Sequence, residues 1–153
     1  MDTAKHIKKS HNVTLFIYHL VCPVKYRRTV FTEVISETLK SVCLEFAPAY
    51  QIRFLEIGID DNHVHFLIQT VPNSRFSEIV KKIKSITAKQ IFLRHPEVKT
   101  FLWGGKFWSA GYYANTVGQY GNLDMITNYV KNQGIKEYVQ LHAEQLTLFH
   151  EEI

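Results

Sequence analysis

The stretch "DDNHVHFLIQT" (60–70) sets two histidines one residue apart in an apolar run, just after two aspartates and an asparagine. Side chains at i and i+2 of a strand leave the same face, so His63 and His65 stand side by side while Val64 and Phe66 turn toward a helix layer. Two imidazoles so placed can grip one cation. A catalytic cation needs at least one further protein ligand and open positions for substrate oxygens. His-x-His alone is weak evidence, because alternate positions of a half-exposed strand carry histidine with no ligand role too. The second chemical pair is Tyr129 and Gln133, four residues apart in "ITNYVKNQG" (126–134). On a helix they lie one turn from each other on one face, with Met125, Ile126 and Val130 as its apolar contact. A phenol becomes a nucleophile where a metal or base favours phenolate, and an amide oxygen suits a hard divalent ion. Taken singly, Tyr129 reads as a half-buried helix residue and Gln133 as a solvated one near a helix end. Their company with His-x-His is what informs.

The elements that must position these groups alternate along the chain. "NVTLFIYHLVCPV" (12–24) is β-branched and aromatic and reads as a strand ended by Pro23. "FTEVISETLKSVCLEFAPAY" (31–50) reads as a helix with Thr32 as N-cap and Val34, Ile35, Leu39, Val42, Leu44 and Phe46 at helical spacing. Residues 51–60 and 62–71 read as a hairpin joined by an acidic turn. "SRFSEIVKKIKSITAKQIFLRH" (74–95) reads as a long helix before Pro96, with Phe76, Ile79, Val80, Ile83, Ile86 and Phe92 or Leu93 inside and a basic outer side. A Gly/Trp-rich connection (102–108) precedes a strand at 111–118 and a helix at 122–134 capped by Asn122; residues 135–149 read as helical. This order predicts an α+β, ferredoxin-like sandwich, a mainly antiparallel sheet with helices on one face. We expect one domain over 1–153, with a core of about 10–134 and a C-terminal helical extension 135–153.

Composition narrows the partners. Eighteen Lys and Arg against fourteen Asp and Glu give a net charge of +4, which favours a polyanion if gathered on one face. Two cysteines, Cys22 and Cys43, make no disulfide framework, and no apolar segment reads as a signal peptide or membrane span, so a reducing cytoplasm is expected. No Walker-type loop suggests a nucleotide cofactor.

Four segments, "IYHLVCPVKYRRTVF" (17–31), "DDNHVHFLIQT" (60–70), "KFWSAGYYANTVG" (106–118) and "ITNYVKNQG" (126–134), together resemble the single-tyrosine HUH transposases of small insertion sequences, the TnpA type. The resemblance implies that His63, His65 and Gln133 bind Mg²⁺ or Mn²⁺ and that Tyr129 attacks single-stranded DNA. It further implies a 5′-phosphotyrosine intermediate, DNA hairpins at the element ends, and a homodimer whose tyrosine helix completes the partner's site. Tyr18, Tyr112 and Tyr113 lack a glutamine one helical turn away and read as structural.

Lys25, Arg27 and Arg28, with Arg75, Lys81, Lys82, Lys84, Lys89 and Arg94, are candidates for phosphate neutralisation; singly, each reads as a solvated side chain. Gly118 and Gly121 flank the approach to the tyrosine helix and would let it pivot, though the same pair suits a routine turn. Two other readings stand beside the transposase. One is a replication-type or domesticated HUH single-strand endonuclease. The other is a non-catalytic nucleic-acid-binding ferredoxin-like module, which needs no Tyr129 and Gln133 beside the histidines.

Overall fold

The computed structural model describes residues 5–9, 12–117 and 137–140. The expected tyrosine helix 122–134, with Tyr129, Gln133, Gly118 and Gly121, lies outside the described residues. The elements run β1 (Ile7–Lys9), β2 (Asn12–Thr14), β3 (Phe16–Pro23), α1 (Glu33–Phe46), β4 (Arg53–Ile59), β5 (His63–Thr70), α2 (Phe76–Arg94), α3 (Pro96–Phe101), β6 (Tyr113–Val117) and β7 (Glu137–Gln140). Five strands form one sheet in the order β6-β3-β5-β4-β7, every neighbour antiparallel. The run β3-α1-β4-β5-α2-β6 is the βαββαβ unit of a ferredoxin-like fold, so the expected α+β class holds.

Alternation of side chains divides the sheet. Leu20, Cys22, Phe54, Ile57, Val64, Phe66 and Ile68 pack with Ile35, Leu39 and Val42 of α1 and Ile79, Val80 and Ile83 of α2 in one core. The opposite face carries a smaller apolar cluster, Ile17, Leu55, Leu67 and Val117. The histidines lie on this second face. α1 starts where Thr32 Oγ1 accepts from the Ile35 amide at 3.4 Å, the cap its sequence announces. The acidic turn between β4 and β5 closes with Asp60 N donating to His63 O at 3.0 Å.

Three expectations need correcting, and one short helix is added. The strand expected over 12–24 is interrupted at Leu15: β2 pairs with β1, and only β3 enters the main sheet. Residues 137–140, expected to be helical, form β7 on the edge of β4, with Ile57 opposite Val139. Tyr138 and Val139 are strand-favouring types, and pairing covers an edge that β4 would otherwise leave open. The segment after His95 restarts as α3, Pro96 supplying a preset φ at the first helical position. Val34 and Leu93 are exposed, because the inner stripes run through Ile35, Leu39, Val42 and Phe46 and through Ile79, Ile83 and Ile91.

Candidate active site

β5 sets His63 and His65 beside each other, ring centroids 5.0 Å apart, with Val64 and Phe66 fully buried on the helix side. His63 Nδ1 lies 2.8 Å from Asn62 Oδ1. An amide oxygen only accepts, so Nδ1 carries the proton and Nε2 keeps its lone pair. That Nε2 is 3.9 Å from Asp60 Oδ2. Asn62 also donates through Nδ2 to the Arg27 carbonyl at 3.4 Å, tying the histidine to the turn that follows β3.

His65 is 5% exposed, and its Nδ1 sits 3.0 Å from His19 Nε2. The two rings are nearly parallel, 15° between planes. His19 comes from β3, where the register pairs Val21 with His65 and His19 with Leu67, so it lies diagonally across the ladder. This partner is not legible in the sequence; the alternation His19, Val21 fixes a face but not what stands opposite. Burial, then the neighbouring His19 and His63, hold the His65 pKa down at about 4. Burial likewise lowers His19, partly offset by the Asn115 side chain. Both rings are neutral at neutral pH, the form that ligates metals.

His65 Nε2 is buried and has no hydrogen-bond partner among the described residues. An orphaned buried polar atom costs about 1–3 kcal/mol. A divalent cation fits it. For Nε2 to be the ligand atom, Nδ1 must donate to His19 Nε2, so His19 fixes the tautomer as an outer-shell partner does in metal sites. His19 itself spends Nε2 on His65, and no group of three or more His, Cys, Asp or Glu able to hold a metal ion occurs among the described residues. The strand therefore offers two imidazoles, those of His63 and His65, and Gln133 lies outside the described residues.

Among the described tyrosines, Tyr18 is stacked on Phe76 at 4.2 Å, and Tyr112 meets the same ring at 6.2 Å. Tyr113 is different. It is exposed and lies on the histidine face, edge-on to His19 at 6.5 Å.

The candidate cations fall into two patches. Arg75, Lys81, Lys82 and Lys89 are exposed along α2, and Lys25, Arg27 and Arg28 ring the turn after β3. Lys84 is occupied within the chain: its ammonium donates to the carbonyls of Ser109 at 2.6 Å and of Ala110 and Gly111 at 3.3 Å. It straps α2 to the segment entering β6. Arg94 is paired with Glu45 at 2.9 Å.

The buried neutral imidazole makes a pH prediction. The folded-state pKa of His65, about 4, lies below its ordinary 6.5, so between these values the unfolded chain binds more protons. Its contribution is complete above pH 6.5 and is lost as the pH falls toward 4. In excess chelator the wild-type protein should therefore melt at a lower temperature near about pH 5 than near neutrality. His65→Gln should flatten that dependence, and an identical slope in the variant would refute the assignment.

Known proteins resemble this chain in sequence and fold. The family described as Transposase IS200 like matches residues 12–133. The chain is 30% identical over 120 residues to the ISDra2 transposase TnpA of Deinococcus radiodurans, covering 78% of this chain and 85% of that protein. It is 28% identical over 116 residues to the transposase for insertion sequence element IS200 of Salmonella typhimurium, covering 76% and 75%. A crystal structure of a Deinococcus radiodurans protein assigned as a transposase superposes with a TM-score of 0.68 at 27% identity, covering 82% of this chain and 96% of its own. A REP-associated tyrosine transposase, solved bound to a REP hairpin, shares the fold at a TM-score of 0.53 and 11% identity, covering 85% and 68%. With a family match running from β2 past both histidines to Gln133, the chain belongs to the IS200-like transposases.

Proposed function

We propose that this transposase cleaves and rejoins single-stranded DNA at the ends of its insertion sequence through a 5′-phosphotyrosine on Tyr129. His63, His65 and Gln133 would hold Mg²⁺ or Mn²⁺. The observation that carries the reading is the pair of imidazoles on β5, one with a buried Nε2 that no group among the described residues satisfies. When bound, the cation supplies charge to neutralise the non-bridging oxygens of the scissile phosphate.

The chain does the rest. Asn62 Oδ1 and His19 Nε2 each accept a hydrogen bond from the protonated Nδ1 of a ligand histidine, which leaves the Nε2 lone pair free. Tyr129 loses its phenolic proton and attacks phosphorus; the bond to the 3′ oxygen breaks, and that oxygen leaves as a free 3′-OH once protonated. The phosphodiester bond energy is kept in the tyrosine ester, so a second 3′-OH can displace Tyr129 and join the strands without ATP. Half-buried Lys25 and exposed Arg27, Arg75, Lys81, Lys82 and Lys89 suit phosphate neutralisation along the strand. Recognition of hairpin ends, a homodimer, and a tyrosine helix delivered to the partner through Gly118 and Gly121 belong to the same proposal, as does a single-domain chain. Among the described residues no helix is long and apolar enough to cross a membrane.

The test is cleavage of labelled single strands carrying the element's terminal sequence. Mg²⁺ or Mn²⁺ should support nicking of the single strand and not of its duplex, and excess chelator should abolish it. Undiminished cleavage in chelator would end the metal assignment. Binding with no cleavage under any metal would leave the non-catalytic module in its place.

A further inference from the structure

The turn after β3 and the turn after α3 face each other with aromatic rings that the core does not use. Tyr26 is 59% exposed and Trp103 75%, their centroids 5.8 Å apart. The Arg28 guanidinium lies over both Trp103, at 4.4 Å, and Phe101, at 4.8 Å, while the Lys25 ammonium is 5.3 Å from the Tyr26 ring. The backbone beneath them is strained: φ is +60° at Tyr26, +53° at Arg27 and +59° at Trp103. Bulky residues rarely adopt such angles, and where they do the strain clusters at ligand clamps. Water-exposed rings on strained turns serve no packing purpose here.

We infer that Tyr26, Trp103 and Arg28 form a stacking site for one unpaired nucleobase of the bound strand. Three features choose this occupant. The concavity is lined by Tyr26, Arg27, Arg28, Thr29, Phe101 and Trp103, two cations and no carboxylate, so it favours an anionic ligand. Arg28 already fills the cation position over the rings, which disfavours a basic peptide or methylated amine. Flat rings with a guanidinium plane beside phosphate-seeking cations match a single strand, in which each base offers a face and each linkage a charge. The location fits as well. Pro23, two residues before Lys25, is the register partner of His63, and Asn62 bonds both His63 and the Arg27 carbonyl. The stacked base would therefore lie next to the histidine site. This inference rests on the single-strand reading of the function.

The experiment measures binding of a hairpin-free oligothymidylate of about 20 nucleotides across a salt series. Trp103→Asn removes the ring with a residue that tolerates the left-handed backbone. It should weaken binding about tenfold while leaving the slope of affinity against salt unchanged, since no charge is lost. Trp103→Phe should restore most of the affinity. Wild-type emission should be quenched on binding, because exposed Trp103 meets the base, whereas the other tryptophan, Trp108, is buried and bonded to Thr87 Oγ1 at 2.9 Å. Affinity for a fully paired duplex should not change. Trp103→Asn binding the oligothymidylate as tightly as wild type, or losing duplex and single strand equally, would overturn the stacking site. Retained adduct formation at Tyr129 in that same protein would show that the catalytic reading survives its failure. A wild-type protein that ignores the oligothymidylate yet cleaves its own terminal strand overturns the stacking site alone.

Discussion

Tyr129→Phe should abolish the covalent protein–DNA adduct and lower strand cleavage by about 10⁴-fold or more, the scale seen when a nucleophile is deleted from an otherwise intact site. Affinity for the single strand should stay near wild type, because one hydroxyl is removed and every cation remains. The measurement is denaturing electrophoresis of protein with end-labelled DNA, followed by mass mapping of the modified peptide. The structure names the competitor to watch. Tyr18 and Tyr112 are engaged with Phe76, but Tyr113 is exposed on the histidine face beside His19. An adduct mapped to Tyr113, persisting in Tyr129→Phe, would move the chemistry from the helix to β6.

If the proposed assignment holds, His65→Ala should cut metal-supported cleavage by about 10³-fold, since it would delete a direct ligand and the charge neutralisation that depends on it. His19→Ala, which removes only the group that orients His65, should cost less, about 10- to 100-fold. Mn²⁺ binding followed by electron paramagnetic resonance gives a readout independent of turnover: lost in the first variant, weakened in the second. Equal manganese affinity in wild type and His65→Ala would remove His65 from the ligand set. The two lethal lesions also test the assembly. If the tyrosine helix serves the partner, a mixed dimer of Tyr129→Phe and His65→Ala subunits holds one doubly damaged site and one intact site, and cleavage returns. If each helix serves its own sheet, both sites carry one lesion and the mixture stays inactive.

What the sequence made legible was what depends on short-range periodicity. The period-two placement of His63 and His65 gave their shared face, and Thr32 gave the start of α1. The acidic turn at 60–62 gave the β4–β5 hairpin. What escaped depends on register or on pieces too short to show a period. His19 lies 46 residues from His65 in sequence and meets it only through the β3–β5 ladder. α3 has six residues, and β7 four. Lys84 reads as one more surface cation until the fold brings three carbonyl oxygens to it. The Tyr26 and Trp103 rings look like ordinary loop aromatics because the 76 positions between them hide that their turns are neighbours.

The Asn62 amide oxygen accepts from Nδ1 of His63 while its amide nitrogen donates to the carbonyl of Arg27, between the Tyr26 ring and Arg28. One side chain thus joins the orientation of the proposed metal ligand to the shape of the turn that carries the exposed rings. Any ligand that shifts the turn is felt at the imidazole, and linkage then works in both directions: whatever factor DNA adds to cation affinity, the cation must add to DNA affinity. Such reciprocity would make the enzyme least avid for either alone and assemble its chemistry only when both are present.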